Sequence, residues 1–391
     1  MRLGVVSNVV HYATDGCLHA YGPYARELDI WADLFDEITI LGPCRSSEPP
    51  GDSIPFTRKN ISILPQKERG GESLTDKLSL AMSLPGMAWD LVRGMAKVDA
   101  VHVRCPGNLG LLGVVLAPLV ARRRIAKYAG QWTPYPGEQA TVRLQRRLLG
   151  SRWWGAPVTV YGQWEGQPSH VIPFFTSLMD ADQMQRARLA IARRKSSSEL
   201  RIVYLGRLTV SKNLDALLRA IASVTAMGFG VRCTIVGEGP ERHSLEQLAA
   251  EYSLTERVRF TGGIPHEETA SILEDADVLV LVSETEGWPK ALAEAMAFGL
   301  ICIGSDRGLI PQMLGDGRGI VVPPGDSEAL ANELVSIAQD PGHNPAMRER
   351  AAAWAQQYSL EGLREALRCL LNEQWGTTIP PVAVQAAAGN S

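Results

Sequence analysis

The sequence has few cysteines, and they form no pattern. Six are scattered along 391 residues without a C-x-x-C pair, which argues against a disulfide framework and against a zinc site. No run reaches the roughly 18–20 apolar residues that a membrane-spanning helix needs. The N-terminus also lacks the charged segment and apolar stretch of a signal peptide. These absences favour a protein of the reducing cytoplasm.

Net charge is also small, but its distribution is uneven. The whole chain carries −3. Residues 1–198 hold 24 Lys and Arg against 17 Asp and Glu, a net +7, whereas residues 199–391 hold 15 against 25, a net −10. This asymmetry suggests that the two halves meet different partners. The basic half could meet nucleic acid, anionic lipid or a phosphorylated substrate.

Short apolar runs rich in Val and Ile alternate with helix-like stretches. Runs that are apolar throughout are typical of strands buried on both faces of a parallel sheet. The predicted strands are Leu3–Ser7, Ile38–Leu41, Ala100–Val103, Val158–Tyr161, Arg201–Leu205, Val231–Val236, Val258–Thr261, Val278–Val282, Ile301–Gly304 and Gly319–Val322. The predicted helices are Tyr24–Leu34, Leu214–Met227, Ser244–Glu251, Glu267–Glu274, Lys290–Phe298 and Glu328–Gln339. This alternation predicts doubly wound α/β domains.

The rhythm of strands and helices breaks once, between Pro173 and Ser198, in a stretch that ends in basic residues and serines. We therefore expect an N-terminal Rossmann-like domain over residues 1–172, a linker over 173–198 and a C-terminal Rossmann-like domain over 199–375. Two such domains would face each other across a ligand-binding cleft. The small, Pro- and Ala-rich residues 376–391 are expected to form a disordered tail.

The densest chemical pattern runs from Glu284 to Gly299, directly after a predicted strand. Pro289 suits the first position of a helix, and Gly299 suits the position just past its end. A helix that starts at the carboxyl end of a strand presents free amides and a positive dipole end, which suits a diphosphate. Glu294 shares a helical face with Lys290, so it could reach past the phosphates to a ribose.

Glu286 and Glu294, in the setting E-G-x-P-x-x-x-x-E-A-M-A-x-G, resemble the E-x7-E signature of retaining glycosyltransferases of family 4 (glycosyl transferases group 1). This family has the GT-B architecture of two facing Rossmann-like domains. Three further motifs follow in the family's order, namely Gly206-Arg207-Leu208 with Lys212, Val236-Gly237-Glu238-Gly239-Pro240, and Val258-Arg259-Phe260-Thr261-Gly262. The resemblance covers most of residues 199–330.

The resemblance implies roles for these residues. Arg207 and Lys212 would hold the donor diphosphate and stabilise the charge on the leaving oxygen without a metal or a cofactor. Glu286 would hold sugar hydroxyls, which makes these three the catalytic candidates. Glu294 would bind the ribose. The other expected donor-binding residues are Gly22, Gly206, Gly237, Gly262, Gly287, Trp288, Lys290, Ala291 and Leu292. The acceptor would attack on the face from which the diphosphate leaves, so no protein nucleophile is assigned.

The first half of the chain matches the family less closely. Gly22-Pro23 lies where the family has a glycine-rich loop near the diphosphate, with one glycine where two adjacent ones are common. Asp99–Val103 resembles the family's D-x-V-H strand. Many members carry a His at the end of the next strand that touches the donor sugar, whereas the corresponding stretch Lys127–Trp132 contains none.

Some patterns have structural interpretations. Gly237 and Gly239 lack the third glycine of a dinucleotide-binding motif, because that position is Arg242, so they predict a tight turn. His102 is interpreted as a packed strand residue rather than a catalytic base. Two D-x-D sequences spell a metal motif of the other large glycosyltransferase architecture, but we interpret them as capping or strand-start elements. They are Asp180-Ala181-Asp182 and Asp275-Ala276-Asp277.

Two segments, Arg122–Arg124 and Arg143–Trp154, mix cations with Leu and Trp. This composition is typical of a peripheral contact with an anionic membrane surface. A solvated helix that buries its apolar face would have the same composition, and both interpretations stay open. The charge asymmetry favours the membrane, since enzymes that extend lipid-linked glycans need access to it.

The leading hypothesis is a retaining glycosyltransferase that moves a sugar from a nucleotide-sugar donor to a glycan or lipid-linked acceptor. It would act in surface polysaccharide or glycolipid biosynthesis, in the cytoplasm or at the inner face of the membrane. A sugar-nucleotide epimerase or hydrolase on this architecture would need a water-activating base, and none is identified. A non-catalytic nucleotide-binding scaffold is the third hypothesis, against which the complete set of cations and carboxylates argues. Nucleic-acid binding has the least support, since the basic residues form no recognised motif.

Overall fold

The computed structural model describes residues 1–14, 16–67, 74–135, 137–176, 179–194, 199–340 and 345–381, and only the backbone of 74–82, 266 and 267. The strands are β1 (Arg2–Val6), β2 (His11–Thr14), β3 (Cys17–Tyr21), β4 (Glu37–Gly42), β5 (Cys44–Arg45), β6 (Ser53–Pro55), β7 (Ile61–Pro65), β8 (Ala100–Cys105), β9 (Arg123–Tyr128), β10 (Val158–Tyr161), β11 (Val171–Phe174), β12 (Leu200–Leu205), β13 (Val231–Val236), β14 (Val258–Gly262), β15 (Val278–Leu281), β16 (Ile301–Ser305) and β17 (Ile320–Val322).

The helices are α1 (Gly22–Ala32), α2 (Leu74–Met95), α3 (Asn108–Val120), α4 (Ala140–Leu149), α5 (Ala181–Arg193), α6 (Leu214–Ala226), α7 (Arg242–Glu251), α8 (His266–Asp275), α9 (Lys290–Ala297), α10 (Ile310–Leu314), α11 (Ser327–Gln339), α12 (Pro345–Ala355) and α13 (Leu360–Trp375). A short 3-10 helix covers Val210–Lys212. No helix among the described residues combines the length and the apolar character needed to cross a bilayer.

The chain divides into two compact units. Unit 1 consists of Met1–Ser177 and Leu360–Ser391, and unit 2 of Leu178–Ser359. Unit 1 contains a parallel seven-stranded sheet in the order β11-β10-β9-β8-β1-β4-β7 and a small sheet in the order β5-β2-β3-β6. Unit 2 contains a parallel six-stranded sheet in the order β14-β13-β12-β15-β16-β17. Two parallel sheets with connecting helices confirm the predicted α/β class.

Both faces of the large sheet in unit 1 are buried, as its apolar strands predict. Successive strand residues point to opposite faces. Leu3 and Val5 of β1 therefore join a core with Trp31 of α1 and Leu367 of α13. Val6 joins the core of the other face, which residues of α2, α3 and α4 complete.

The C-terminal helix corrects the expected domain limits, which assigned residues up to 375 to the C-terminal domain. Helix α13 belongs to unit 1, because Leu363, Leu367 and Leu371 are buried in the core of α1. Arg364 Nε also donates to Asp33 Oδ2 at 2.8 Å. The apolar face of α13 thus completes the sheet layer that α1 begins.

The expected linker and tail also differ from the structure. Residues 173–198 include the end of β11 and helix α5, which packs on α8 and α9 within unit 2. In the expected tail, Ile379 is buried, and its amide donates to Asn372 Oδ1 at 2.7 Å. The rest of the expected tail, residues 382–391, lies outside the described residues, as do 195–198 of the expected linker.

The new limits also reduce the charge asymmetry. Unit 1 holds 21 Lys and Arg against 18 Asp and Glu, a net +3, and unit 2 holds 18 against 24, a net −6. The difference shrinks mainly because the basic stretch 186–195 belongs to unit 2. The contrast in charge between the two parts of the chain is therefore weaker than a division at residue 198 suggests.

Candidate functional site

Three of the predicted glycines end neighbouring strands of unit 2. Gly206 follows β12, Gly237 follows β13, and Gly262 ends β14. The amide of Gly237, whose φ is +137°, donates to the Gly262 carbonyl at 2.9 Å. A Cβ on Gly237 would lie 1.9 Å from the Gly206 carbonyl oxygen, and one on Gly239 would lie 2.1 Å from the Leu208 carbonyl oxygen. Only glycine permits such approaches, so the tight-turn interpretation is confirmed.

Two of the predicted catalytic residues are in direct contact. Lys212 ends the 3-10 helix after β12, and Glu286 lies in the loop between β15 and α9. Lys212 Nζ donates to Glu286 Oε1 at 2.6 Å, with 21% and 13% of the two side chains exposed. The ammonium keeps two further N–H donors. The pair places one cation and one carboxylate at the carboxyl edge of the sheet, where open α/β folds bind ligands.

Arg207, the third predicted catalytic residue, has an exposed side chain on the same loop as Lys212. A hydrogen bond holds its backbone in place, because the hydroxyl of Tyr204 donates to the Arg207 carbonyl at 3.0 Å. Burial, together with the nearby Glu286 carboxylate, raises the pKa of Tyr204. The phenol therefore stays protonated and keeps donating to this turn.

Hydrogen bonds to backbone carbonyls and one close backbone approach hold the loops of this edge together. The Glu284 amide donates to the Ser211 carbonyl at 2.8 Å, and Asn213 Nδ2 donates to the Val282 carbonyl at 3.0 Å. Asn213 has φ +51°, a conformation that Asn tolerates better than most residues. Gly308 packs so closely that a Cβ there would lie 2.1 Å from the Glu286 carbonyl oxygen. Neither Asn213 nor Gly308 was predicted from the sequence, although an Asn beside a predicted ligand-binding Lys is a turn signal.

Helix α9 begins at Lys290, so Pro289 is the N-cap and not, as predicted, the first helical residue. Gly299 follows the helix in the left-handed region at φ +70°, and the Leu300 amide closes the turn on the Ala295 carbonyl at 3.0 Å. This is the expected glycine C-terminus. The positive end of the helix thus lies at the loop that carries Glu286.

The residues expected to line the donor site around α9 differ in accessibility. Lys290 and Ala291 are partly exposed, as is Gly287 in the preceding loop. Leu292 is fully buried, and its amide already donates to the Pro289 carbonyl at 3.1 Å. This hydrogen bond removes Leu292 from the amides offered to a ligand and corrects its predicted place in the donor site.

Glu294 and Trp288 have structural surroundings that the sequence did not reveal. Glu294 is 8% exposed on α9. The ring of Trp288 stacks on Trp354 at a centroid distance of 6.0 Å and meets the edge of Tyr358 at 5.2 Å. These aromatic contacts anchor the loop before α9 to α12 and the residues after it.

Gly22 lies in unit 1, whereas the other predicted site residues lie in unit 2. The strands β2 and β3 separate it from β1, and it is the first residue of α1. Its amide donates to the Asp52 carbonyl at 2.9 Å, and it is buried against that backbone. The structure therefore places Gly22 between the small sheet and α1, and not in a loop directly after β1.

The D-x-D sequences and His102 have the structural roles that were predicted. Asp180 caps α5 by accepting from the Gln183 amide at 2.8 Å, and Asp277 accepts from Arg201 Nε at 2.9 Å. His102 is fully buried and stacks on Trp31 at 4.3 Å. Burial holds the pKa of His102 well below its usual value. No group of three or more potential metal ligands occurs among the described residues.

The basic, Trp-containing segments divide between core and surface. Trp154 is fully buried, with Arg124 Nε donating to its carbonyl at 2.9 Å, and Arg146 is buried in an ion pair with Glu138. Leu144 and Trp153 are exposed. The segment Arg143–Trp154 thus buries part of its side chains, as the interpretation of a helix with a buried apolar face requires, and leaves Leu144 and Trp153 exposed for a surface contact. In α4, Gln145, Arg146 and Leu149 form the buried face, and the opposite face is exposed.

Residues 186–354 match a protein family described as glycosyl transferases group 1. The chain is 35% identical over 150 residues, 37% of each protein, to the putative colanic acid biosynthesis glycosyltransferase WcaL of Escherichia coli (strain K12). It is 29% identical over 208 residues to the alpha-D-kanosaminyltransferase of Streptomyces kanamyceticus, covering 52% of this chain and 54% of that one. The chain thus spans less than two thirds of the length of these curated relatives.

Two solved structures resemble nearly the whole chain. The sucrose-phosphate synthase of Thermosynechococcus elongatus superimposes with a TM-score of 0.70 at 20% identity, covering 96% of this chain and 99% of that one. Anabaena HepE in complex with UDP and glucose gives a TM-score of 0.69 at 17% identity, covering 95% and 100%. At such identities the likeness concerns the fold alone. The chain has the GT-B fold of two Rossmann-like units, and its segment 186–354 matches the glycosyl transferases group 1 family.

Proposed function

We propose that the protein is a retaining glycosyltransferase that moves a sugar from a nucleotide-sugar donor to a glycan or lipid-linked acceptor in surface polysaccharide or glycolipid biosynthesis. The observation that carries the proposal is the contact between Lys212 and Glu286 at the carboxyl edge of the sheet in unit 2. The matching family segment and the name of the E. coli relative, which refers to colanic acid biosynthesis, support it.

The chemistry assigned to this edge is stabilisation of a leaving diphosphate. Lys212 and Arg207 would bind its oxygens, and the positive end of α9 would add a favourable field. Glu286 would orient sugar hydroxyls while its bond to Lys212 keeps the ammonium in place. Glu294 would hold the ribose. Two cations and a helix end suffice for the developing charge, so the proposal includes no metal and no cofactor.

The first experiment is a binding test with UDP-, GDP- and ADP-sugars. Saturation-transfer NMR reports which donor binds to the full chain, and proton spectra report its slow hydrolysis. We expect one donor to bind and to be cleaved, and both Lys212→Ala and Glu286→Ala to lose cleavage. The anomer first released shows whether configuration is kept, since a retaining enzyme releases the anomer of the donor.

A matched pair of control variants is available in the same unit. Glu199 and Arg232 form an exposed ion pair at the amino ends of β12 and β13, with 3.0 Å between Arg232 Nε and Glu199 Oε2. Glu199→Ala and Arg232→Ala should leave donor binding intact. Equal binding by Lys212→Ala and the unaltered chain would overturn the site assignment. Failure of every nucleotide sugar to bind would favour a scaffold.

We also propose that unit 1 contacts an anionic membrane surface. Helix α3 contains no charged residue and lies beside α2 and α4. Side chains of this layer are unusually exposed, with Trp89 at 68% and Leu119 at 67%. The exposed large apolar residues here are Leu84, Trp89, Val115, Leu119, Leu144 and Trp153. Exposed cations on and between the same helices are Arg93, Lys97, Arg122, Arg123, Arg143, Arg147 and Arg152.

This combination suits the boundary between lipid head groups and acyl chains, where aromatic rings bury and cations meet anionic lipids. Six exposed large apolar side chains on one layer of helices are more than the single, scattered ones that are common on surfaces facing only water. With six free cysteines, the location proposed is the cytoplasm, at the inner face of the membrane.

Co-sedimentation with vesicles tests this surface. Vesicles that contain anionic lipid should bind the protein at low salt and release it at high salt. Leu119→Glu should weaken binding, whereas Met227→Glu, at a 59% exposed apolar position of unit 2, should not. Equal binding by the two variants would exclude the α2–α4 layer as the contact.

A further inference from the structure

A second group of charged side chains lies at the carboxyl edge of the large sheet in unit 1. Arg104 and Lys127 are paired across β8 and β9, each one residue before its strand ends. Both point to the face covered by α1, where Glu27 meets them. Arg104 lies in β8, which is next to β1, and Lys127 lies in β9, the strand beyond it, so both are near the centre of the sheet. Central strand ends of this kind are where open parallel sheets bind ligands.

Glu27 bridges the two cations. Arg104 Nη1 donates to Glu27 Oε1 at 2.8 Å, and Lys127 Nζ donates to Glu27 Oε2 at 2.7 Å. The exposed fractions are 14% for the Arg104 side chain, 7% for Lys127 and 6% for Glu27. Among the described residues, Arg104 donates from Nη1 alone and Lys127 makes one of its three possible bonds. Donors on both cations therefore remain for a further acceptor.

The group carries one more positive charge than negative. Glu27 is the only carboxylate among the described residues that acts on the pKa of either cation. Burial acts to raise the pKa of Glu27, but Arg104 and Lys127 outweigh it and hold that pKa well below its usual value. The group is therefore a carboxylate between two cations. One cation would suffice to pair with Glu27, so the second leaves a largely buried charge that costs free energy unless an anion meets it.

Aromatic rings hold both cations in place. The Arg104 guanidinium lies 4.9 Å from the ring centroid of Tyr24, and Lys127 Nζ lies 5.5 Å from that of Tyr161. Burial raises the pKa of Tyr24 to about 12 and raises that of Tyr161 further. Both phenols therefore stay neutral and supply no negative charge to balance the cations. Two positioned cations at a ligand-binding edge form a preorganised anion site.

We propose that Arg104 and Lys127, positioned by Glu27, bind a phosphoryl group carried by the acceptor. The assignment of this group to an acceptor rests on the proposed glycosyltransferase function. A phosphoryl group fits because its tetrahedral oxygens can accept from two cations on neighbouring strands, and arginine is the preferred partner of phosphate. The phosphoryl group could belong to a small phosphate ester or to a lipid-linked one.

The test measures binding of inorganic phosphate by titration calorimetry at low salt, using the full chain. Arg207→Ala and Lys212→Ala are combined to remove the proposed donor site in unit 2. We expect this chain to bind phosphate, and Arg104→Gln added to it to weaken binding about tenfold or more. Arg104→Lys should weaken it less. The control is Arg58→Gln, since Arg58 is paired with Asp33 at the other end of α1, with 2.6 Å between Nε and Oδ1.

A second measurement needs no substitution in the buried group. In the unaltered chain, phosphate should slow amide hydrogen exchange in α1 and at the ends of β8 and β9. Protection confined to unit 2 would overturn the proposal, as would equal phosphate affinity with and without Arg104→Gln. Acetate that binds as tightly as phosphate would overturn the preference for a phosphoryl group.

Comparison of inorganic phosphate with hexyl phosphate separates the two sources. Tighter binding of hexyl phosphate indicates an apolar, lipid-like acceptor, and equal binding indicates a small phosphate ester.

The phosphate-site proposal and the proposed glycosyltransferase function fail in different ways. A chain that binds a nucleotide sugar but no phosphate lacks this site and keeps the proposed function. A chain that binds phosphate at Arg104 but no nucleotide sugar keeps the site and loses the proposed function.

Discussion

Both units place a carboxylate between or beside cations at the carboxyl edge of a parallel sheet, but they build the arrangement differently. In unit 2, Lys212 comes from a short 3-10 helix and Glu286 from a loop, and they form one neutral pair with 21% and 13% of the two side chains exposed. In unit 1, Arg104 and Lys127 come from strands, Glu27 comes from a helix, and all three are largely buried. The Lys212–Glu286 pair can adjust to a ligand at small cost, whereas the buried group is part of the core.

Because of this difference, we expect a substitution in the Glu27 group of unit 1 to change both ligand binding and stability. A substitution in the Lys212–Glu286 pair of unit 2 should change mainly ligand binding. A buried charge that loses its partner has no water to replace it. The Lys212–Glu286 pair is less deeply buried and carries no excess charge, so we expect a charge left there to regain more hydration and the pair to contribute less to folding. The substitutions below test this contrast, beginning with the largest expected effect.

Glu27→Gln should lower the free energy of unfolding by about 3–5 kcal/mol, because it leaves two buried cations without a carboxylate. Glu286→Gln should lower it by less than about 1 kcal/mol. Urea denaturation of the two variants and the unaltered chain measures both values. Similar losses in the two variants would show that burial does not distinguish the groups.

Acid should destabilise unit 1 through His11. Burial lowers the pKa of this side chain from 6.5 to about 4, and its ring nitrogens contact the Pro43 carbonyl and the Tyr24 hydroxyl. A histidine whose pKa is lower in the folded state contributes its full stability above pH 6.5 and loses it as the pH falls towards 4. The loss amounts to about 3 kcal/mol.

The measurement for His11 is the difference in unfolding free energy between pH 7 and pH 5. His11→Gln should reduce this difference, although buried His102 adds to it in the same direction. His243→Gln, at an exposed position of α7, serves as the control. An unchanged pH difference in His11→Gln would contradict the assignment.

Gly237→Ala should destabilise unit 2 by about 2–3 kcal/mol, since its Cβ meets the Gly206 carbonyl and its φ is positive. Gly228 also has a positive φ, of +91°, but a Cβ there has no neighbour within 4 Å. Gly228→Ala should therefore cost only about 1 kcal/mol. Thermal unfolding of the two variants separates the two effects, since Gly228→Ala introduces backbone strain alone and Gly237→Ala adds the steric clash with the Gly206 carbonyl. Equal shifts in Tm would mean that the turns after β12 and β13 rearrange and relieve the clash at Gly237→Ala.

The smallest effect is expected from the Lys212–Glu286 pair itself. A double-mutant cycle with Lys212→Ala and Glu286→Ala should give a coupling free energy below about 1 kcal/mol in unfolding, although both variants lose the proposed donor cleavage. A coupling energy above about 2 kcal/mol would mean that the pair supports the fold as strongly as a buried one.

Sequence patterns predicted unit 2 better than unit 1. The six predicted strands of unit 2 all overlap observed ones, and Val231–Val236 agrees at both ends. In unit 1, β9 was missed because it begins with arginines, and α3 was missed because its uniformly apolar sequence has no helical period. A strand that is apolar throughout can be recognised from sequence, whereas a strand that begins with charged residues cannot.

The candidate sites show the same contrast. Lys212 and Glu286 were predicted to belong to one site because four short motifs kept their order and spacing along the chain. Arg104 and Lys127 follow Glu27 by 77 and 100 positions, with no motif that links them. Their meeting depends on strand order and register, which are properties of the folded sheet and not of any local segment.

Because α13 belongs to unit 1 but lies at the end of the chain, unit 1 cannot complete its fold until translation is nearly finished. The N-terminal sheet is translated first, yet the face that holds Trp31 and Phe35 lacks its cover until Leu363 to Trp375 emerge. Unit 2 is continuous in sequence and can fold while the earlier unit still waits. The last helix to leave the ribosome is thus the closing piece of the first domain. A ribosome that stops before residue 360 releases a chain with a finished second half and an exposed, aggregation-prone first half.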